Sequence, residues 1–445
     1  MPAVATASSL EEKIRSRTAV VGVVGLGYVG LPLAAGFARA GFPVVGFDID
    51  SAKVSSLAAN RSYIAHIPDS ILEELHRDRR FVATSEFSRL EEADAILVCV
   101  PTPLTPHREP DLSYIESTAK QIALAARPGQ LVVLESTTYP GTTEEILLPA
   151  LESAGLVIDR DFYLAFSPER EDPNNPDFTL ENIPKVVGGV TPRSGELAAM
   201  LYGSVVRKVV PVASARVAEA AKLVENIFRS VNIAFVNELK ICFDRMGIDV
   251  WDVLDAASTK PFGFMRFDPG PGWGGHCIPV DPFYLTWKAR EHGVSTRFIE
   301  LAGEINTRMP EWVVGKLADA LNERSRSLKG SKILILGVAY KRNVDDIRES
   351  PALEIIEMLR SRGADVAYHD PHVPRLHKTR RHDLTLASTP LTGESVSESD
   401  AVVIVTDHDG VDYRTVTDNA RLILDTRSAL RKRRIACPPG VLVSA

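Results

Sequence analysis

Two doubly wound α/β domains joined by a long-helix central domain are what the order of apolar segments in this 445-residue chain implies. Short apolar runs alternate with helical text from Ala19 to Gly189. Near Ser214 the hydrophobic period changes to that of one long helix, and at Lys332 a second alternation opens. A chain of this length exceeds one ordinary core, and the boundaries expected are 1–212, 213–326 and 327–445.

Ala19 to Val24 is nearly continuous apolar text, as in a parallel strand buried on both faces. It runs into Gly25-Leu26-Gly27-Tyr28-Val29-Gly30, Leu31 to Ala40 reads as a helix closed by Gly41, and Val44 to Asp48 as the next strand. A bare GxGxxG is weak. Here it follows a strand, opens a helix, and precedes Asp48 by 18 residues, which is the context of a dinucleotide turn in a Rossmann-like layer. The glycines allow the backbone to approach a pyrophosphate. Asp48 would accept hydrogen bonds from ribose hydroxyls, favouring NAD over NADP, and Lys53 nearby works against that preference.

Ala95 to Val100 is a third strand, stopped by Pro101-Thr102-Pro103, and Leu131 to Ser136 a fourth, ending at Thr137-Thr138. Ligands of such sheets lie beyond the carboxyl ends of strands, so Pro101, Thr102 and Thr137 stand where cofactor or substrate would be; plain turn chemistry explains them equally well. Phe162 to Phe166 ends in Ser167-Pro168-Glu169-Arg170, and Lys185 to Gly189 completes the sheet. On its own the Glu169–Arg170 neighbourhood reads as a surface ion pair.

In the central section Val217, Ala220, Ala221, Val224, Ile227, Phe228, Val231, Ala234 and Phe235 trace one helix face, with Glu219, Lys222, Asn226, Arg229 and Asn237 opposite. Such a polar stripe by default faces solvent, and the apolar face suits packing against a second copy of the chain. Helical text continues through Trp251 to Leu254. After the loop come Phe283 to Glu291 and Arg297 to Arg308. That loop, Pro269 to Pro282, sets four glycines and four prolines around Cys277, with Asp281 four residues later; a connector and an active site both fit it. The second alternation has strands at Lys332 to Gly337, Asp365 to Tyr368, Ala401 to Val405 and Leu422 to Leu424. Val338-Ala339-Tyr340-Lys341 stands where a second GxGxxG would continue, so a nucleotide there would be held differently. Lys341 and Arg348 follow the first of these strands, at the ligand edge, or are solvated cations.

Hydrophobic content of 45% and charge of 24% are those of a globular protein. A net charge of −7 leaves no basic excess for a nucleic-acid backbone, and Arg431-Lys432-Arg433-Arg434 reads as a solvated tail segment. Cys99, Cys242, Cys277 and Cys437 show no metal or disulfide spacing. With no leader segment and no membrane-length apolar run, a cytoplasmic location is expected.

Together GLGYVGLPLA (Gly25 to Ala34), VCVPTP (Val98 to Pro103), SPERED (Ser167 to Asp172), PGPGWGGHCIPVDPFYLTWKA (Pro269 to Ala289) and GVAYKRNVDDIRESPA (Gly337 to Ala352) resemble the UDP-glucose/GDP-mannose dehydrogenase family, most of all its bacterial UDP-N-acetylglucosamine 6-dehydrogenases. The resemblance covers nearly everything after Thr18. It implies oxidation of a UDP-sugar C6 alcohol to a uronic acid by two NAD⁺, for surface polysaccharide precursors, with Cys277 trapping the aldehyde as a thiohemiacetal that becomes a thioester. Carried over by position, Lys222 and Asn226 hold the C6 oxygen, Asp281 orients Lys222 or a water, and Glu169 is the base for hydrolysis, with Thr137 positioning the water. Gly25, Gly27, Tyr28, Val29, Gly30, Asp48, Lys53, Pro101, Thr102, Thr137 and Arg348 would meet the cofactor. Glu169, Arg170, Lys222, Asn226, Gly270, Gly272, Gly274, Tyr340 and Lys341 would meet the sugar nucleotide. Arg266 departs from the family pattern and would be an added substrate contact or change which N-acetyl sugar fits. The resemblance also implies a homodimer or higher homo-oligomer. Left open are UDP-N-acetylmannosamine, UDP-N-acetylgalactosamine or UDP-glucose as substrate, and a binding protein without turnover.

Overall fold

The computed structural model describes residues 9–64, 67–105, 109–170, 178–275, 278–379 and 381–445. The chain divides into two units, Met1–Glu225 with Trp287–Gly293 and Asn226–Thr286 with Val294–Ala445.

The first unit carries strands β1 (Val21–Val24), β2 (Val44–Phe47), β3 (Phe81–Thr84), β4 (Ala95–Val98), β5 (Gln130–Leu134), β6 (Phe162–Phe166), β7 (Lys185–Gly189) and β8 (Val209–Val212). Their order is β3-β2-β1-β4-β5-β6-β7-β8, and every pair is parallel except β6 with β7. The order reverses between β1 and β4, which is where ligands of doubly wound sheets bind. Alternate residues feed two apolar layers. Val21, Val23, Ala95, Leu97, Leu131 and Val133 pack on one face, and Val24, Ile96, Val98, Val132 and Leu134 on the other. Those double-sided runs made the central strands readable. β3 and β8 at the two edges were not read as strands: Val82 is exposed, and β8 is half-buried with Pro211 inside it.

The second sheet, in the second unit, has β9 (Lys332–Leu336), β10 (Asp365–His369), β11 (Ala401–Ile404), β12 (Ile423–Asp425) and β13 (Leu442–Ser444). The order is β10-β9-β11-β12-β13, all parallel, another doubly wound arrangement that reverses between β9 and β11. Ile333 and Ile335 join one layer, Leu334 and Leu336 the other.

A 32-residue helix spans Ala215–Met246. Its polar stripe does not face solvent, against the default expectation. Val217, Val224, Phe228 and Phe235 are 45–61% exposed, whereas Glu219, Asn226 and Asn237 are fully buried and Lys222 nearly so. The reason is hydrogen bonding. Glu219 accepts from the Thr143 N–H at 2.9 Å and its hydroxyl at 2.7 Å, Asn226 is held by Asp281, and Asn237 by Asn306 and the Gly270 N–H, so each polar group has a partner inside.

The helix Arg297–Asn322 runs past the expected end at Arg308, carrying Pro310 in its interior. Met309 and Pro310 are both buried, and that packing outweighs the lost hydrogen bond. No helix among the described residues is long and apolar enough to cross a membrane. Three side chains of the basic run near the end form ion pairs, two of them exposed and Arg433 half-buried. Arg431 reaches Asp249, Asp252 and Asp255 at 2.6–3.3 Å, Lys432 reaches Asp268 at 2.9 Å over the Trp251 ring, and Arg433 pairs with Asp407 and Asp409.

Candidate active site

The dinucleotide turn is built as its sequence requires. Gly25 has φ of +92°, and a Cβ on Gly30 would lie 1.9 Å from the Gly25 carbonyl oxygen, so the turn closes only with glycine at both places. A Cβ at Gly27 would meet nothing within 4 Å, which leaves the backbone open above the helix Gly30–Arg39. Val29 caps that helix and Tyr28 is exposed. The Asp48 carboxylate, at the end of β2, accepts from the Leu26 N–H at 2.9 Å and the Asp50 N–H at 2.9 Å. Lys53 lies 3.3 Å from the same carboxylate, so its charge is paired with the residue that would contact a ribose. An open glycine cradle at a helix N-terminus, with a buried carboxylate beside it, fits NAD.

Beyond β4, Thr102 is buried and Pro101 exposed. Beyond β5, Ser136 donates to the Val100 carbonyl at 2.7 Å and Thr137 is half-buried. Glu219 fixes the continuation of this loop, and burial pushes its carboxyl up to about 7 against the N–H and hydroxyl groups that stabilise its charge.

At the end of β6, Glu169 accepts from the Arg170 N–H at 2.6 Å and lies 3.5 Å from the Lys185 ammonium. Arg170 turns to Glu225 at 2.7 Å and to the Pro184 carbonyl at 2.6 Å. Lys185 also meets Glu135 at 2.7 Å, and the Tyr202 hydroxyl donates to Glu135 from the other side. Burial alone would lower the Lys185 pKa; the Glu135 and Glu169 carboxylates outweigh it and hold the ammonium charged. Sequence reasoning passed over Glu135 and Lys185. The signal was present in a charge at the end of one apolar run and at the start of another.

In the second unit, Asn226 donates to Asp281 and accepts from Arg229, which fixes the orientation of its amide. Asp281, expected to orient Lys222 or a water, holds the Asn226 amide. Lys222, in the first unit, is 7% exposed on the same long helix. Of the loop expected to bind the sugar, Gly270, Gly272 and Gly274 are described, and Cys277 lies outside the described residues. Here glycine is demanded by packing. A Cβ on Gly270 would lie 2.5 Å from the Arg427 guanidinium, one on Gly274 would lie 2.9 Å from Tyr340 Cβ, and one on Gly272 would lie 3.3 Å from the Asn306 carbonyl. Pro310 is the residue that leaves that carbonyl without its helical N–H partner.

Tyr340 and Lys341 follow β9, and the Gly275 N–H donates to the Arg348 carbonyl at 3.3 Å. The Arg348 side chain pairs with Asp346 at 2.6 Å. Arg266 is engaged by Asp255 at 2.5 Å and Asp268 at 2.8 Å, contacts that tie its loop to the preceding helix Val250–Ala257. Asp370, at the end of β10, occupies in the second sheet the place that Asp48 has in the first. It is filled by the Val338 N–H at 2.7 Å and His408 Nε2 at 3.0 Å.

Three sequence comparisons match these regions in turn. The NAD binding domain of the UDP-glucose/GDP-mannose dehydrogenase family matches residues 19–206, its central domain 216–308 and its UDP binding domain 334–432. A UDP-N-acetyl-D-glucosamine 6-dehydrogenase of Pseudomonas aeruginosa is 39% identical over 84% of this chain and 87% of that protein. An NDP-N-acetyl-D-galactosaminuronic acid dehydrogenase of Ralstonia solanacearum is 36% identical over 94% and 97%. The solved structure of a UDP-N-acetyl-D-mannosamine dehydrogenase from Pyrococcus horikoshii superposes with a TM-score of 0.85 at 33% identity, covering 96% of this chain and 98% of that one.

Proposed function

Because the chain belongs to the UDP-glucose/GDP-mannose dehydrogenase family, and is thereby an NAD-dependent nucleotide-sugar dehydrogenase, we propose that it oxidises the C6 alcohol of a UDP-N-acetylhexosamine to the uronic acid, with UDP-N-acetylglucosamine as substrate. Bound NAD⁺ supplies the hydride acceptor, twice per product. The chain's residues do the rest. Lys222 and the amide of Asn226 hold the C6 oxygen and stabilise its negative charge as each hydride departs. The Cys277 thiolate adds to the aldehyde carbon, forming a C–S bond and retaining the intermediate as a thiohemiacetal until the second oxidation makes it a thioester. Glu169 then takes a proton from a water held by Thr137. The water oxygen bonds to the acyl carbon, the C–S bond breaks, and the thiolate is restored.

The observation that carries this reading is the Asn226 amide. It is buried, turned by Asp281 on one side and Arg229 on the other, on the helix that also buries Lys222. Asp281 stands four residues after Cys277 in the sequence, so one short segment supplies both the sulfur and the group that fixes the oxygen-binding amide. Gly270, Gly272, Gly274, Tyr340, Lys341 and Arg170 would line the sugar-nucleotide site, and Arg348 would reach the cofactor.

NADH formation, followed near 340 nm over UDP-N-acetylglucosamine, UDP-N-acetylmannosamine, UDP-N-acetylgalactosamine and UDP-glucose, tests the substrate. The expected result is the highest kcat/KM with UDP-N-acetylglucosamine and two NADH per acid formed. A preference of tenfold or more for another of these sugars would replace it; the galactosaminuronic and mannosamine relatives make those two the second reading.

A further inference from the structure

β7 is the one strand of the first sheet that runs antiparallel to its neighbour β6, with Ala165 opposite Gly189 and Phe166 opposite Gly188. Continued outward, that register sets Lys185 across from Glu169. The reversal has a chemical consequence. In a parallel strand the first residue lies at the edge away from the ligands; here the first residue of β7 lies at the edge where β5 and β6 end and where ligands of such sheets bind. Lys185 therefore delivers a cation to the ligand edge from beneath the sheet surface, with only 4% of its side chain exposed.

Two carboxylates share this cation. Glu135 holds it at 2.7 Å and is itself fully buried, receiving the Tyr202 hydroxyl; Glu169 stands at 3.5 Å with 15% of its side chain accessible. Cys99 and the Arg170–Glu225 pair are the other titratable or charged groups around the cluster. The arrangement has an inner, solvent-free acid that anchors the lysine and an outer one that the lysine faces.

We propose that Lys185, anchored by Glu135, is a positioning residue for the hydrolytic half of the reaction: it holds the Glu169 carboxylate in place at the ligand edge of the sheet. The inference rests on the reading of Glu169 as the hydrolysis base. In that step the water proton passes to Glu169, the C–O bond forms, the C–S bond breaks and the electron pair leaves on sulfur. No oxidant is consumed. Without Lys185 the carboxylate loses its fixed counter-charge, so oxidation proceeds and release of the acid slows.

The test is pre-steady-state NADH formation by the full-length enzyme with NAD⁺ and the best sugar nucleotide from the substrate panel. Lys185→Met leaves Glu135 buried without its partner, so the electroneutral Glu135→Gln/Lys185→Met double variant is run beside it to guard against a folding defect. Both are expected to show a rapid NADH burst followed by a steady state at least tenfold slower than wild type. The KM values for both substrates should stay within about twofold, and Lys185→Arg should recover much of the loss. A folded double variant with wild-type steady-state turnover would overturn the inference. So would burst and steady state falling together with rising KM, which marks a merely structural role. Glu169→Gln is the reference. Were it to keep full turnover, the hydrolysis-base reading itself would fall and take the inference with it, whereas a slow Glu169→Gln beside a fast double variant would remove Lys185 alone.

Discussion

The Asp48 carboxylate closes the glycine turn and is proposed to hold the cofactor ribose. Its Oδ2 accepts from Leu26 N–H inside the glycine turn, and Lys53 pairs with the same oxygen at 3.3 Å. A charged hydrogen bond contributes about 1.5–3 kcal/mol. Asp48→Ala is therefore expected to raise the KM for NAD⁺ by roughly 10- to 100-fold, since about 1.4 kcal/mol corresponds to a factor of ten, with a smaller change in kcat; an unchanged KM in steady-state assays would take Asp48 off the cofactor site. The place of Asp48 at the end of β2 was legible because it depends on local spacing after a glycine turn. Lys185 was not, because its place depends on the direction of β7, and no short window of sequence records which way a strand runs beside its neighbours. Glu219, Asn226 and Asn237 were legible as one polar stripe whose default is solvent; the residues that bury them, Gly141, Asp281, Asn306 and Gly270, stand 33 to 78 positions away along the chain.

At the scale of elements, the central strands could be read from their apolar runs, while the first sheet's edge strands β3 and β8, only part-buried, could not. The loop after β5 illustrates what an element owes to a distant side chain. Glu219 accepts from Gly141 and Thr143, and burial raises its carboxyl pKa from an ordinary 4.5 to about 7. The folded state then binds the proton more tightly than the unfolded chain. Stability is lost as pH rises between the two values, and the cost is complete above about 7. Glu219→Gln removes that dependence. Its melting temperature relative to wild type is expected to rise between pH 5 and pH 8, whatever the constant cost of the lost acceptor; a difference that stays flat or falls over that range would contradict the assignment.

For the molecule as a whole, the long helix presents an exposed apolar stripe, of which Phe228 also meets the Phe267 ring edge-on at 5.7 Å. Val217, Val224, Phe228 and Phe235 are spaced by seven, four and seven, the repeat of a helix seam, and lie open to solvent. A second copy of the chain would cover such a stripe, as the sequence resemblance implies. Placing one unpaired charge in a buried seam costs about 3–5 kcal/mol, so Val224→Asp is expected to halve the mass measured by light scattering at micromolar concentration. A mass unchanged from wild type would move the interface elsewhere.

The proposed reaction depends on a sulfur that would hold the half-oxidised sugar between two hydride transfers. The most direct measurement is NADH production by Cys277→Ala with saturating NAD⁺ and sugar nucleotide. No sustained NADH and no uronic acid is the predicted result; continued turnover to the acid would contradict covalent capture.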